Sequence, residues 1–185
     1  MMKIILAGYI ALEATHKLID KERPALSCRF SNRFLNLSYE MTRTESLSRD
    51  SIDEVISKSK LDISEEDILE LSDMGIFGSL WDFAKANDTG ISVDLQKISV
   101  CQETIEIFEC LDINPYTYPS KGSWLIRTDK AYELIDAFEK AGITASMIGF
   151  ETDNKDRVIV NQDETRFLTP VDRLLKDEQG QKNYR

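Results

Sequence analysis

Residues 100–116 constrain this chain more than any other stretch. Val100-Cys101-Gln102-Glu103-Thr104-Ile105-Glu106-Ile107-Phe108-Glu109-Cys110-Leu111 has the apolar–acidic periodicity of an amphipathic helix. Its spacing predicts Ile105, Phe108 and Leu111 as the buried stripe, with Glu103, Glu106 and Glu109 together on another face. Asn114-Pro115 then stops the helix, because proline drives the residue before it out of helical geometry. A small-residue loop, Ser120-Lys121-Gly122-Ser123, leads into the apolar strand Trp124-Leu125-Ile126-Arg127. The strand–helix–strand–strand order that follows, with antiparallel pairing, argues for α+β layering.

A chain of 185 residues is long enough for one domain with a genuine core. Its net charge of −10 is spread along the chain, which excludes the concentrated basic face that a nucleic acid requires. The opening apolar run Ile4-Ile5-Leu6-Ala7 is broken by Gly8 and followed by Glu13. That is too short for a secretory core or a membrane span, so the expectation is a cytoplasmic protein with no membrane partner. Cys28, Cys101 and Cys110 form no CxxC pair. On a continuous helix Cys101 and Cys110 would point to nearly opposite faces, so all three read as reduced thiols. His16, the one histidine, has no nearby cysteine or second histidine and reads as a surface or cap residue.

The remaining elements follow from local signals. Residues 4–8 read as a strand and 11–21 as a helix that Arg23-Pro24 ends or interrupts. Phe30, Phe34, Leu35 and Leu37 suggest a further helical piece, and the polar run 42–50 a flexible loop. Ser51 with Glu54 has capping-box spacing, and Ser64 with Asp67 offers a second helix start. Ile68, Leu69 and Leu71 fit helix or strand equally. Residues 76–87 form a helix with Gly90 placed to end it, followed by a strand over 91–95. Asp129 is the expected cap of a helix striped by Ala131, Leu134, Ile135 and Phe138, with Gly142 as its stop. Residues 145–150 and 157–160 are expected to pair as a hairpin about the turn 153–156, with a short edge strand over 165–168. Beyond Pro170 the chain is polar, and 177–185 is expected to fray.

Several segments together carry a family likeness. Gly90-Ile91-Ser92-Val93-Asp94-Leu95, Gln102-Glu103-Thr104, Asp112-Ile113-Asn114-Pro115-Tyr116 and Gly122-Ser123 resemble AIR synthase-related proteins. The match runs on through Ala141-Gly142-Ile143, Ile148-Gly149 and Arg157-Val158-Ile159-Val160-Asn161 to Arg166-Phe167-Leu168. Upstream, Leu6-Ala7-Gly8-Tyr9-Ile10-Ala11-Leu12-Glu13-Ala14-Thr15 looks like the segment that opens the family's C-terminal domain. The likeness is poor over 21–70. The family is close to the hydrogenase maturation factor that dehydrates a thiocarboxamide.

The resemblance implies an α+β, three-layer α/β/α domain with a mixed, largely antiparallel sheet over residues 1–170. In two-domain members a preceding domain supplies most of the ATP and metal site. The expectation is therefore a stand-alone C-terminal domain with no cofactor of its own, serving as a non-catalytic binding or assembly module. Its alternative is the substrate-side subunit of a split enzyme, with ATP and Mg brought by an ATP-binding-domain partner. Either reading predicts a homodimer or a hetero-complex.

The positions that resemblance marks for a ligand are Ser72, Asp73, Gly75, Gly78, Asn114, Ser120, Lys121, Gly122 and Ser123. Ser72 to Gly78 stand where the family has an acidic residue, paired glycines and a helix start, the elements of a phosphate-binding loop. Met74 replaces the first glycine, which favours a capped helix with glycines used for packing. Lys121 is a departure from the family's small or acidic residue, so no acid–base role carries over. It is either an anion contact or a solvated turn lysine. The resemblance places a cysteine at the end of the maturation factor; with Gln181-Lys182-Asn183-Tyr184-Arg185 at the end of this sequence, that cysteine's chemistry is not expected to carry over. No catalytic residue and no metal ligand is assigned.

Overall fold

The structure, a computed structural model, describes residues 1–170; the polar tail read over 171–185 lies outside them. Its centre is β1 (Lys3–Ala7), a strand with both faces buried. Alternation along β1 sends Ile4 and Leu6 to one side, where Ile76, Leu80 and Phe83 of α5 (Gly75–Ala86) cover them. Ile5 and Ala7 point the other way, onto Ile52 and Val55 of α4 (Arg49–Ser59) and Leu134 and Phe138 of α7 (Ala131–Lys140). Two helical layers with one sheet between them give the three-layer arrangement expected from the sequence. Beside it a third cluster joins α1 (Leu12–Lys21), the short α2 (Arg23–Leu26), α3 (Asn32–Thr44) and α6 (Gln102–Cys110) around Ile19, Leu26, Leu35, Ile107 and Phe108.

The other strands are β2 (Ile68–Glu70), β3 (Gly90–Asp94), β4 (Trp124–Thr128), β5 (Ala145–Thr152), β6 (Arg157–Asn161) and β7 (Glu164–Phe167). They form one sheet in the order β2-β4-β1-β5-β3-β6-β7. All described pairings are antiparallel except β3 with β6. Arg127 of β4 reaches across β1 to join Asp67 and Glu151 in a half-buried ionic triad. Burial opposes its charge, but the hydrogen bonds to Glu151 and Asp67 outweigh burial and hold the guanidinium above its ordinary range.

The expected β5–β6 hairpin does not form. β3 lies between its arms, antiparallel to β5 and parallel to β6. Two glycines make room for it. A Cβ on Gly90 would stand 2.0 Å from the Asn154 carbonyl, and one on Gly149 would stand 2.3 Å from the Ser92 carbonyl. Gly90 is therefore a close-approach residue rather than a helix stop. The chain after α5 turns instead at Asp88, at φ 50°, in the left-handed region that aspartate tolerates.

Other local expectations also shift. The polar run at 42–50 is helix to Thr44 and again from Arg49, leaving a short link that is fastened rather than flexible. The Leu47 N–H donates to the Gly122 carbonyl, and the Trp124 indole donates to the Leu47 carbonyl. Ser48, not Ser51, caps α4 by accepting from the Ser51 N–H. Ser64 starts one short 3₁₀ turn, after which residues 68–70 are strand. Lys130, not Asp129, precedes α7, and its N–H is held by the Thr128 hydroxyl. In α6 the buried positions are Thr104, Ile107 and Phe108, while Ile105 is exposed.

The α4–α7 cluster takes residues from β1, β2, β4 and β5 and none from β3, β6 or β7. Phe150, Ser92, Val158 and Phe167 consequently form one register row across four strands that these helices leave uncovered. Phe167 is 70% exposed.

Gly90→Ala is expected to lower the urea midpoint at unchanged slope, a loss of about 1–3 kcal/mol from overpacking. Gly142→Ala meets no atom within 4 Å but sits at φ 74°, so the expected loss is the left-handed backbone penalty of about 1–2 kcal/mol. A Gly90→Ala variant as stable as the parent would contradict the β3 insertion.

Candidate functional site

Four loops meet at one end of the sheet: 8–11 after β1, 45–48 before α4, 71–74 before α5 and 111–123 before β4. They bring most of the marked residues together. The buried Ser120 hydroxyl accepts from the Ala11 N–H at 2.9 Å and donates to the Tyr118 carbonyl at 2.9 Å, while its own N–H donates to the Ser72 carbonyl. The Ser72 hydroxyl accepts from the Met74 N–H, and the Ser72 carbonyl also takes the Gly75 N–H. Ser79, one turn into α5, accepts from the Ser72 N–H and donates to the Gly75 carbonyl. Ser123 donates to the Tyr9 carbonyl at 2.5 Å. Asn114 accepts from the Tyr116 N–H and so starts the turn at Pro115–Thr117.

The glycines serve this packing. Gly75 lies so close to the 116–118 backbone that a Cβ would approach the Tyr116 carbonyl to 2.5 Å. Gly122, at φ 84°, sits under Ser46, whose hydroxyl a Cβ would overlap at 1.9 Å. Its N–H donates to Glu70 Oε1 at 3.0 Å. Gly78 is buried within α5. Asp73 and Lys121 remain at the surface, 3.8 Å apart.

Burial raises the Cys101 thiol above its ordinary pKa, against a 3.0 Å contact with Thr104 that favours the thiolate. Thr104 in turn lies 2.7 Å from Thr15, whose hydroxyl donates to the Ala11 carbonyl. This buried polar chain ties α6 to α1, and the amphipathic reading of α6 missed it. His16 stacks on Tyr39 with ring centroids 3.9 Å apart, bridging α1 and α3. Glu103, Glu106 and Glu109 do not converge with other side chains into a metal-holding group among the described residues.

Two clefts share the 41–47 segment as a wall. One, of about 410 Å³, includes Tyr9, Met41, Glu45 and Cys101. The other, of about 340 Å³, is lined by Glu13, His16, Thr42, Arg43, Ser46, Leu47, Glu70, Lys121 and Gly122. Lys121 and Gly122 were marked from the sequence. The others come from α1, β2 and the 21–70 region, which has poor family likeness, so nothing in that likeness singled them out.

No family model matches the chain, and no curated protein matches it. Solved structures do. Escherichia coli HypE, a hydrogenase maturation protein, superposes with a TM-score of 0.71 over 92% of this chain and 50% of its own, at 14% identity. A HypE–HypF complex matches at 0.64 over 91% and 52%, at 12% identity. Thiamine-monophosphate kinase from Aquifex aeolicus matches at 0.59 over 89% and 51%, at 12% identity. The chain has the fold of one half of these proteins. It spans about half the length of each, and at this identity the likeness establishes architecture alone. The fold implied by the AIR synthase-related resemblance is the one observed.

Ser120→Ala is expected to strand the Ala11 N–H and lower stability by about 1–3 kcal/mol, measured by urea unfolding. Iodoacetamide at pH 8 is expected to alkylate the exposed Cys28 well before the buried Cys101, as followed by mass spectrometry. Equal rates would contradict the burial of Cys101.

Proposed function

We propose that this chain is a binding or assembly module that carries out no ATP chemistry by itself. The loop ahead of α5 carries this reading. Met74 is buried in it, Gly75 is packed against the 116–118 backbone, and the Gly75 N–H already donates to Ser72. A helix N-terminus that grips phosphate needs open N–H groups and an unobstructed approach. Here the Ser72 hydroxyl holds the Met74 N–H, its carbonyl takes the Gly75 and Ser120 N–H groups, and Gly75 packs against the 116–118 backbone. The row of Phe150, Ser92, Val158 and Phe167, which α4 and α7 leave uncovered, supports an assembly role through its exposed phenylalanines at either end.

A second reading makes the chain the substrate-side subunit of a split enzyme, completed in trans by an ATP-binding domain with its ATP and Mg. It is favoured by the half-length coverage of HypE and of the kinase, and the HypE–HypF complex supports a partner in general.

The purified chain is expected to show no ATP hydrolysis above the buffer blank; measurable turnover would overturn the module reading. Under the split-enzyme reading, hydrolysis would appear only on adding the partner domain. Sedimentation velocity is expected to show a species larger than the monomer, reduced by Phe167→Ser. A lone monomer boundary at high concentration would exclude self-association.

A further inference from the structure

Strand β7 (Glu164–Phe167) ends the sheet order, and all four of its residues are exposed. On one side it pairs with β6, placing Thr165 opposite Val160 and Phe167 opposite Val158. Backbone groups alternate in direction along an antiparallel strand. The Leu168 N–H donates to the Arg157 carbonyl, so residues 164, 166 and 168 turn their backbone groups toward β6. Thr165 and Phe167 turn theirs outward. Natural sheets blunt such an edge with lysine, proline or a bulge, and β7 has none of these. The opposite edge, β2, is only three residues long.

The side chains of β7 select an occupant. Glu164 and Arg166 share one face of the strand and touch at 2.8 Å, both well exposed. Thr165 and Phe167 share the other, where Phe167 ends the row of Phe150, Ser92 and Val158. Consider a second β7 related to the first by a two-fold axis through Thr165. The strands then run antiparallel, and the outward N–H and C=O of Thr165 in each copy meet their counterparts in the other. Glu164 of each copy stands opposite Arg166 of the other, so the four charges alternate in sign. Phe167 lies diagonal to the second copy's Thr165, within reach of an aromatic ring. Centring the axis on Glu164 or on Arg166 instead sets like charges opposite each other. Glu-Thr-Arg is therefore self-complementary about its middle residue.

We propose that β7 pairs with the β7 of a second copy of this chain, antiparallel and centred on Thr165, making one continuous sheet across the two-fold axis. The inference rests on the assembly reading and names its partner and its contact. A pairing of two such short strands buries less than the roughly 1,200 Å² of lasting complexes, so the dimer is weak, with Kd about 10–100 μM.

The test is sedimentation equilibrium of the full chain and its variants. Glu164→Arg and Arg166→Glu are each expected to weaken the dimer at least about fivefold, since each sets like charges opposite one another. Mixing those two chains is expected to give a heterodimer tighter than either homodimer, and the double swap Glu164→Arg with Arg166→Glu to restore the parent's Kd. Thr165→Pro removes an outward N–H that β6 does not use. It is expected to abolish the dimer and leave the urea midpoint close to the parent's. Should Thr165→Pro fail to fold, the charge-swap series still decides. Tyr132→Ser, at an exposed position on α7, is expected to leave the Kd unchanged.

Three results would overturn the proposal: a monomer at about 1 mM chain, a dimer indifferent to the single charge changes, or a mixture that associates no better than its parts. Each would leave standing the reading of a module without ATP chemistry, with its partner elsewhere. ATP turnover by the purified chain would sink that reading and leave the β7 contact untouched.

Discussion

Burying the turn between β1 and α1 leaves the Ala11 N–H in need of an acceptor, and the Ser120 hydroxyl, 109 positions away in sequence, provides it. A buried donor without a partner forfeits its full desolvation energy, so the two loops must arrive together. The same hydroxyl donates to Tyr118, while the Ser120 backbone N–H reaches Ser72. Ala11 itself sits at φ 58°, an unusual backbone state for alanine that this contact helps hold. From that junction follow the entry angle of α1, the closure of the loop before α5 and the placement of Gly122 under Ser46.

Much of the architecture could be read from the residues. The apolar run Ile4 to Ala7 marked a short strand, and the stripe from Ala131 to Phe138 with Gly142 behind it marked a helix and its stop. What escaped depended on partners distant in the chain. Thr104 looks like a polar interruption in α6 until Thr15, 89 positions earlier, is seen to share a hydrogen bond with it. Gly90 has the same letter whether it ends a helix or admits a neighbouring carbonyl, and only the position of Asn154 decides between them. Strands β5 and β6 looked like a hairpin because local sequence reports adjacency along the chain and not what lies between its arms.

The site was legible in a different measure. Its loops could be located, since Ser, Gly, Asn and Pro punctuate them, and the packing reading of Gly75 followed from Met74. The charged walls of the cleft were hidden. Glu13 looks like an ordinary first-turn acid favoured by the helix dipole. Arg43 looks like a solvated helix residue beside Glu40. Only their convergence with Lys121 on one concavity gives them a shared meaning. Ser72 and Ser120, marked for a ligand, hold backbone N–H groups of Met74 and Ala11, while residues that resemble surface decoration line an opening.

The insertion of β3 between β5 and β6 also has a kinetic consequence. A hairpin closed by a short turn forms in about 1–10 μs, whereas pairing across tens of residues must first meet a larger loop-closure entropy. The fastest pairing open to residues 145–161 is therefore one that the native sheet forbids. Residues 90–94 compete with that local pairing for the same strand edges, and Gly90 and Gly149, by removing side chains at two close crossings, leave room for them.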